Sequence, residues 1–595
     1  MRQELEKELR ELYRQIYGEK EAEQLLKDVD ELIKNSPRKN TKQWLTQKDA
    51  VLITYGDSII DKEEPGLKVL NDFLRKHVAD AISIVHILPM FPYTSDDGFS
   101  VSDYRKVNPA LGDWEDVNRL GESYDLMFDA VINHCSKSNE WFQKCLKGEK
   151  PYKDFFIEAD PKADYSKVTR PRELPLLTEF DTKEGKKSYW TTFSTDQIDL
   201  NYQSIDLYKE ILSILLYYTQ NGARMIRLDA IGFLWKELGT TCMHLPQTHK
   251  VVQSFRKILD EAAPGTLIIT ETNVPHKENI SYFGEGEKEA HMVYQFPLPP
   301  LVMFSILTGN SEKLTEWAKN LSEPPVGCTY FNFLSSHDGI GVRPVEGILT
   351  KEEIQLMVDA TLRNGGEVSY KDNGDGTKSP YELNINYQDA LASPEDSDEI
   401  RIKRFLAAET ILLSMQGLPA IYIHSLLGSR NDYYDKAVPL RKEIEEAGNY
   451  VYLQEKRFGN RIRFIFQLDE RFHDVLVPNM ILQPLLENSI VHGVGMYTEG
   501  SVIQIQTEFD EEKEKGYIRI IDNGEGVSEE EEKQIQQKLM ENRMQTGKVG
   551  LSNVAFRLNL FFEGQSRIYF RSIPKERTEV TMEIPCKRSG EGENV

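Results

Sequence analysis

Asp229 and Glu271 are the residues whose types and spacing most directly suggest chemistry. Each ends a short apolar, β-branched run, and the two runs lie about one helix plus one loop apart. On successive strands of a parallel sheet their carboxyls would meet across one mouth. Paired carboxylates there suit glycosyl transfer: in a retaining mechanism one attacks the anomeric carbon and the other protonates the leaving oxygen, ~5–5.5 Å apart. A third acid, Asp338, could hold sugar hydroxyls as positive charge develops on the ring. Arg227, two residues before Asp229 and so on the same strand face, would keep that carboxylate ionised through its opposite charge. His134 and the pair His337 and Asp338 also fall at or within a residue or two of strand ends. One such acid alone reads as a helix N-cap; the three together do not.

A second constellation lies near the C-terminus. Asn488 and His492, four residues apart in LLENSIVHG, share a helix face, and an asparagine there could orient a metal-bound phosphate. The loop IDNGEGV supplies Asp522, Gly524 and Gly526, and a later loop supplies Gly547 and Gly550. These are two flexible backbone segments able to approach a nucleotide. Singly, each is a turn or a packing asparagine. The order of asparagine box, first glycine box and second glycine box is more restrictive.

The elements that must position these groups follow from the chain as a whole. Its 595 residues give room for roughly three or four domains, fewer if one is an α/β barrel. Hydrophobic residues at 39% support sizeable cores, and a net charge of −24 argues against nucleic acid or an anionic membrane surface as partners. Five scattered cysteines without framework spacing read as reduced thiols. The lack of an 18-residue apolar run and the charged N-terminus predict a cytoplasmic protein without a membrane span.

Residues 1–45 place Leu5, Leu9, Leu12, Ile16, Leu25, Val29 and Leu32 at helical spacing and predict an amphipathic helical segment. Over residues 46–435 eight apolar runs alternate with helical stretches: 50–56, 82–89, 126–134, 223–230, 266–272, 291–296, 329–338 and 419–428. Eight such runs predict a (β/α)8 barrel with its chemistry past the C-terminal strand ends. Asp97-Gly98 and Asp375-Gly376 read as turns, the second a poor calcium loop because Gly374 stands where a ligand is needed. Over 436–590 a helix, the alternating stretch RIRFIFQL, a second helix, further alternating strands and the final TEVTMEIP predict an α/β sandwich. Glu529 to Glu532 reads as a solvated helix start.

The stretches DAVINH, ARMIRLDAIGF, IITETN and FLSSHD resemble the four sequence regions of the α-amylase superfamily of retaining α-glycosidases. More closely, SDDGFSVSDYRKVNPALGDW, TRPRELPLLTEF, TTFSTDQIDLNY, ETNVPHKENISYFG and HSLLGSRNDY resemble the α-glucoside phosphorylases of the sucrose and especially the glucosylglycerate type, up to about Asp432. The resemblance implies Asp229 as nucleophile, Glu271 as acid/base and Asp338 as transition-state stabiliser. It implies a glucosyl pocket of Asp96, His134, Arg227 and His337, with Arg172 binding phosphate or the anionic acceptor. Phosphate would be the co-substrate, with no cofactor; an α-glucosidase would differ only in the acceptor.

From about 438 to 588 the chain is similar to the ATP-binding domain of sensor histidine kinases, with ILQPLLENSIVHG in place of an LLQPLVENAIKHG-like helix. The similarity implies ATP as ligand, Asn488 coordinating Mg2+, Asp522 reading the adenine amino group, glycines 524, 526, 547 and 550 shaping the lid over the phosphates, and His492 belonging to the nucleotide-binding helix. The phosphoacceptor helix of that family is absent, so a separate acceptor domain or a homodimer would be the partner, or the module would bind ATP beside an inactive barrel. The arginine-bearing segment, the last barrel helix and the small β domain that follow GSRNDY in the phosphorylases are also absent. The chain reads as a fusion of two truncated sequences joined near Asp435, with apolar barrel surface left uncovered.

Overall fold

Short runs rich in Val, Ile and Leu form a closed parallel barrel of eight strands: β1 (Val51–Thr54), β2 (Ile84–Ile87), β3 (Asp125–Ala130), β4 (Ala223–Leu228), β5 (Leu267–Thr270), β6 (Met292–Tyr294), β7 (Thr329–Phe333) and β8 (Leu418–Tyr422). β1, β2 and β5 are buried along their whole length, as expected where helices cover one face and the barrel interior the other. Neighbours follow chain order, and β1 closes the ring on β8 with Val51 opposite Ala420. A computed structural model of the chain describes residues 1–36, 44–61, 64–171, 175–284, 288–372, 377–393, 396–431, 437–458, 461–478, 481–490, 501–511, 513–540, 549–562 and 564–585. It divides into two units, Met1–Arg430 and Asn431–Val595. The Asp375-Gly376 turn, Cys586 and the expected junction near Asp435 lie outside the described residues.

The strands stop earlier than their apolar patterns. His134 lies four residues beyond Ala130 and opens a short strand, His134–Ser136, which pairs antiparallel with Gln197–Asp199. His337 and Asp338 lie in the loop after β7. Once the chain clears the barrel, its backbone groups find partners in two excursions. One, after β3, carries the hairpin Leu177–Thr182 and Gly185–Trp190. The other, after β7, is a three-stranded sheet of Ile340–Gly341, Lys378–Asn384 and Glu367–Asp372, in that order.

At the N-terminus, helices α1 (Gln3–Tyr17) and α2 (Glu19–Asn35) bury Leu5, Leu9, Tyr13, Leu25, Leu26, Val29 and Ile33. The buried face is rotated from the pattern read in the sequence, leaving Leu12, Ile16 and Leu32 only half-buried. The cause is Tyr13, fully buried, whose hydroxyl lies 3.0 Å from that of Tyr208 in α3 (Ile205–Gln220). Lys209 of α3 pairs with Asp28 at 3.0 Å, and Lys257 of α4 (Pro246–Ala262) with Glu8 at 3.1 Å. These two helices therefore extend the barrel's outer layer.

The barrel's last turn is thin. Among the described residues of the first unit, β8 is followed by a five-residue helix, Ile423–Leu427. The preceding helix, α5 (Asp398–Ser414), leaves Ile402, Leu406 and Leu413 at 49%, 57% and 57% exposure, an apolar face of the kind an eighth helix would cover.

The second unit has a five-stranded sheet of β9 (Ile462–Gln467), β10 (Ser501–Asp510), β11 (Lys515–Asp522), β12 (Arg567–Ile573) and β13 (Arg577–Pro585), in the order β9-β10-β11-β13-β12. β9 and β10 are parallel and the other pairs antiparallel. Alternation along β10, β11 and β13 buries Ile503, Ile505, Ile518, Ile520, Met582 and Ile584. Helices complete the sandwich: α6 (Leu440–Phe458), α7 (Gln483–Asn488), α8 (Glu529–Met540) and α9 (Val549–Phe561), which contribute Val451, Leu485, Leu486, Leu539, Val554 and Leu558 to the same core. The carboxylate of Glu443 in α6 accepts from the N–H groups of Ile481 at 2.8 Å and Leu482 at 3.3 Å, at the entry to α7. Among the described residues no helix is long and apolar enough to cross a membrane.

Candidate active site

Register places the two central carboxylates. β4 and β5 pair with Leu228 opposite Thr270, so the next residues, Asp229 and Glu271, leave the barrel side by side at its C-terminal end. The ladder continues one step: Asp229 N–H donates to Ala130 O at 3.2 Å and Glu271 N–H to Leu228 O at 3.1 Å. Ala230 then turns left-handed at φ 49°, as do Asp96 and Asp97 across the mouth at 55° and 47°. Non-glycine residues reach that region at a cost of order 1–3 kcal/mol, a strain that clusters at functional sites.

A cavity of about 290 Å3 opens at this mouth, lined by Asp96, His134, Arg227, Asp229, Glu271, His337 and Asp338, with Tyr55, Phe99, Gln197, Asn273 and Tyr381. Arg172 lies outside the described residues, although its neighbour Pro171 lines the cavity. Arg227 is buried and divides its guanidinium between two acids, donating to Asp229 Oδ1 at 2.9 Å and to Asp129 Oδ1. Asp129 in turn meets His86 Nε2 at 2.7 Å. Against the burial cost, Arg227 and His86 hold the Asp129 carboxyl down at about 2.

Asp229 differs from expectation. Its ion pair with Arg227 is formed, yet its carboxyl is pushed well above the usual range, because burial and the nearby acids Glu271, Asp129 and Asp338 outweigh the guanidinium. Glu271 is also raised, chiefly by burial. Of these two, Asp229 takes the direct hydrogen bond from Arg227, whereas Glu271 accepts only the Ala230 N–H, at 3.1 Å. Both carboxyls are thus raised, and of the two Asp229 holds the direct bond from the guanidinium.

The histidines are held neutral. Burial lowers His134 to about 4, and its Nε2–H donates to Phe99 O at 2.9 Å. His337 is also lowered by burial; it stacks on Phe99 at 4.8 Å, with Nε2 3.4 Å from Asp338 Oδ2. Gln197 donates to Asp96 Oδ2 at 2.8 Å.

Four residues at or behind the site were not singled out from sequence. Asp129 and its partner His86 sit on β3 and β2, and the signal for Asp129 was an acid opening the DAVINH run opposite an arginine on the next strand. Gln197 and Tyr381 arrive from the two excursions; Gln197 lies within the stretch TTFSTDQIDLNY, and nothing local marks Tyr381.

In the second unit, Asp522 is 3% exposed, its carboxyl raised by burial although it accepts from Gly524 N–H at 3.0 Å and from the Ser489 hydroxyl. Ser489 follows Asn488, so the asparagine box and the first glycine loop meet. Gly526 stands at φ +62°, where a Cβ would lie 2.7 Å from Ser572 Oγ. Gly550 lies in the first turn of α9, while His492 and Gly547 are outside the described residues. Among the described residues no cluster of three His, Cys, Asp or Glu side chains is placed to hold a metal ion.

Comparison with known proteins agrees with both units. Residues 69–345 match the α-amylase catalytic domain, and residues 474–588 match the histidine kinase-, DNA gyrase B- and HSP90-like ATPase family. The glucosylglycerate phosphorylase of Allomeiothermus silvanus is 50% identical over 461 residues, 77% of this chain and 80% of the relative. That of Escherichia coli (strain K12) is 47% identical over 450 residues, 74% of this chain and 80% of the relative. The crystal structure of sucrose 6F-phosphate phosphorylase from Thermoanaerobacter thermosaccharolyticum shares the fold, with a TM-score of 0.58 at 24% identity over 80% of this chain and 91% of that one. The chain thus belongs to the α-glucoside phosphorylase family of which the glucosylglycerate phosphorylases are members, and carries an ATPase domain after its barrel.

Proposed function

We propose that the barrel splits an α-glucoside with phosphate, a glucosylglycerate-type compound being the preferred donor, and releases glucose 1-phosphate with retained configuration. The observation that carries this reading is the pair Asp229 and Glu271, side by side past the ends of paired strands, with Arg227 donating to Asp229 and burial raising the Glu271 carboxyl. The ionised Asp229 Oδ attacks the anomeric carbon. As that bond forms, the bond to the aglycone oxygen breaks and takes the Glu271 proton. Glu271, now a carboxylate, receives a proton from phosphate as a phosphate oxygen attacks the same carbon and displaces Asp229. Two inversions leave the α anomer. Asp338 stabilises the developing ring charge, and Asp96, His134, Arg227 and His337 surround the glucosyl unit. Arg172 is the candidate for the phosphate or anionic acceptor because its fork matches such oxygens. No cofactor is required.

The second unit is read as an ATP-binding module. Its buried, hydrogen-bonded Asp522 suits the adenine amino group, and glycines 524, 526, 547 and 550 with His492 border the phosphates. The amide oxygen of Asn488 is a hard donor of the kind Mg2+ takes, and the ion would neutralise phosphate charge there. A phosphoryl acceptor for this module would be a separate domain or a second copy.

The test is release of glucose 1-phosphate from glucosylglycerate and from sucrose, with and without inorganic phosphate. Phosphate-dependent product that vanishes in Asp229→Asn is expected. Glucose release that ignores phosphate would make the barrel a hydrolase, and activity surviving in Asp229→Asn would reject the reading.

A further inference from the structure

Arginines in this chain that are removed from water generally have acids to meet. Arg256 pairs with Asp260 at 3.0 Å, Arg401 with Asp389 at 3.2 Å and Arg404 with Asp396 at 2.7 Å. Arg343 is an exception. It is half-buried, and no ion pair or side-chain hydrogen bond joins it to any of the described residues. A guanidinium partly withdrawn from water and without a counter-anion among these residues is available to an anionic ligand, to which it can donate charge-assisted hydrogen bonds.

Its place in the fold says where such a ligand would lie. Arg343 opens the short turn Arg343–Val345, two residues after Gly341, which lines the active-site cavity. Val342 N–H donates to Tyr381 O at 3.1 Å, fastening this turn to a second cavity residue. The charge of Arg343 acts on the Tyr381 hydroxyl, which also feels Glu271 and Asp338. Arg343 thus borders the wall that holds the acid proposed to protonate the aglycone.

The neighbourhood holds polar groups without partners. Asn273 lies against Gly341 so closely that a Cβ there would meet its amide at 2.7 Å, and its Oδ1 is buried without a hydrogen bond. His244 also feels the charge of Arg343. Its Nδ1 meets the Tyr282 hydroxyl at 2.8 Å, and its Nε2 is buried without a hydrogen bond. The nearest acid, Glu278, is 3.8 Å from that nitrogen.

We infer that Arg343 reads the carboxylate of an anionic aglycone in the leaving-group part of the cavity, and so sets the preference for acidic over neutral α-glucosides. The inference rests on the phosphorolytic reading and deepens it. Inorganic phosphate presents similar oxygens and must be separated by experiment.

Glucosylglycerate and glucosylglycerol differ only in a carboxylate against a hydroxymethyl group, so the ratio of their kcat/KM values isolates the charge. In Arg343→Gln this ratio is expected to fall by ~10–100-fold, the scale of one hydrogen bond to a charged group. Arg343→Lys, which keeps charge but loses the fork, should fall between the two. The KM for phosphate, measured with glucosylglycerol as donor, separates the sources of the anion: an unchanged ratio overturns the proposal, whether or not that KM rises. Should the wild type form no glucose 1-phosphate, the phosphorolytic reading fails by itself. Calorimetric titration with glycerate then still decides: tenfold tighter binding to wild type than to Arg343→Gln supports the subsite, and equal binding rejects it.

Discussion

Asp129 shows how one buried acid governs another. It accepts from the same Arg227 Nη1 that donates to Asp229, so that the group aiming the proposed nucleophile is itself held by a residue outside the cavity lining. Asp129→Asn leaves the guanidinium short of a counter-charge, a change that typically costs ~3–5 kcal/mol in a buried pair. The sign of its pH dependence follows from the lowered carboxyl. Stabilisation by Asp129 is complete above about pH 4, where the unfolded carboxyl is ionised, and is lost as pH falls through about 2. Thermal melts of wild type and variant should differ most near neutrality and converge toward pH 2. Glu271 makes a kinetic prediction. Its carboxyl is raised, so it stays protonated to a higher pH than an ordinary glutamate, and kcat/KM should fall on the alkaline side as that proton is lost. Glu271→Gln should lower kcat by ~10²–10⁴-fold with natural donors, and with glucosyl fluoride, whose leaving group needs no proton, the alkaline limb should disappear.

At the scale of elements, α5 combines two liabilities. Its exposed face of Ile402, Leu406 and Leu413 has no partner in the barrel layer, so Leu406→Lys should change stability by less than ~0.5 kcal/mol while reducing self-association in light scattering. Leu9→Ala in α1 is the contrast: fully buried, it should cost ~2–5 kcal/mol. On α5 itself, Glu409 has a buried oxygen without a hydrogen bond, and burial raises its carboxyl to about 7. The protonated form is the one the fold accepts. The penalty is absent below about pH 4, the range of the unfolded carboxyl, and grows as pH rises to about 7. Glu409→Gln should therefore raise the melting temperature at pH 8 and leave it unchanged at pH 4.

For the whole molecule, the hydrophobic clusters of the barrel and of the C-terminal sheet are separate, which gives each unit a core of its own. Nucleotide binding and phosphorolysis should accordingly be separable. A non-hydrolysable ATP analogue with Mg2+ should stabilise the second unit, by ~2.7 kcal/mol at a hundredfold excess over Kd. Asp522→Ala should abolish that shift in calorimetry and Asp229→Asn should leave it intact; loss of the shift in Asp229→Asn would show the units to be coupled.

What the sequence determined by itself was whatever depends on neighbours in the chain. Val- and Ile-rich runs at regular intervals specify strands, their number specifies a barrel, and an acid directly after a strand must emerge at its mouth, so Asp229 and Glu271 were legible. The alternation in RIRFIFQL marked β9 for the same reason. The rotated face of α1 was not legible, because periodicity permits several buried faces and only Tyr208, 195 residues from Tyr13, selects one. Gln197, Tyr381 and Arg343 were hidden for a related reason. Gln197 and Tyr381 reach the cavity, and Arg343 its border, through excursions whose paths are fixed by pairing with distant backbone, His134 opposite Asp199 and Ile340 opposite Leu383. The upward shift of Asp229 likewise belongs to the tertiary structure, since burial and converging charge arise only when four separate segments close on one site.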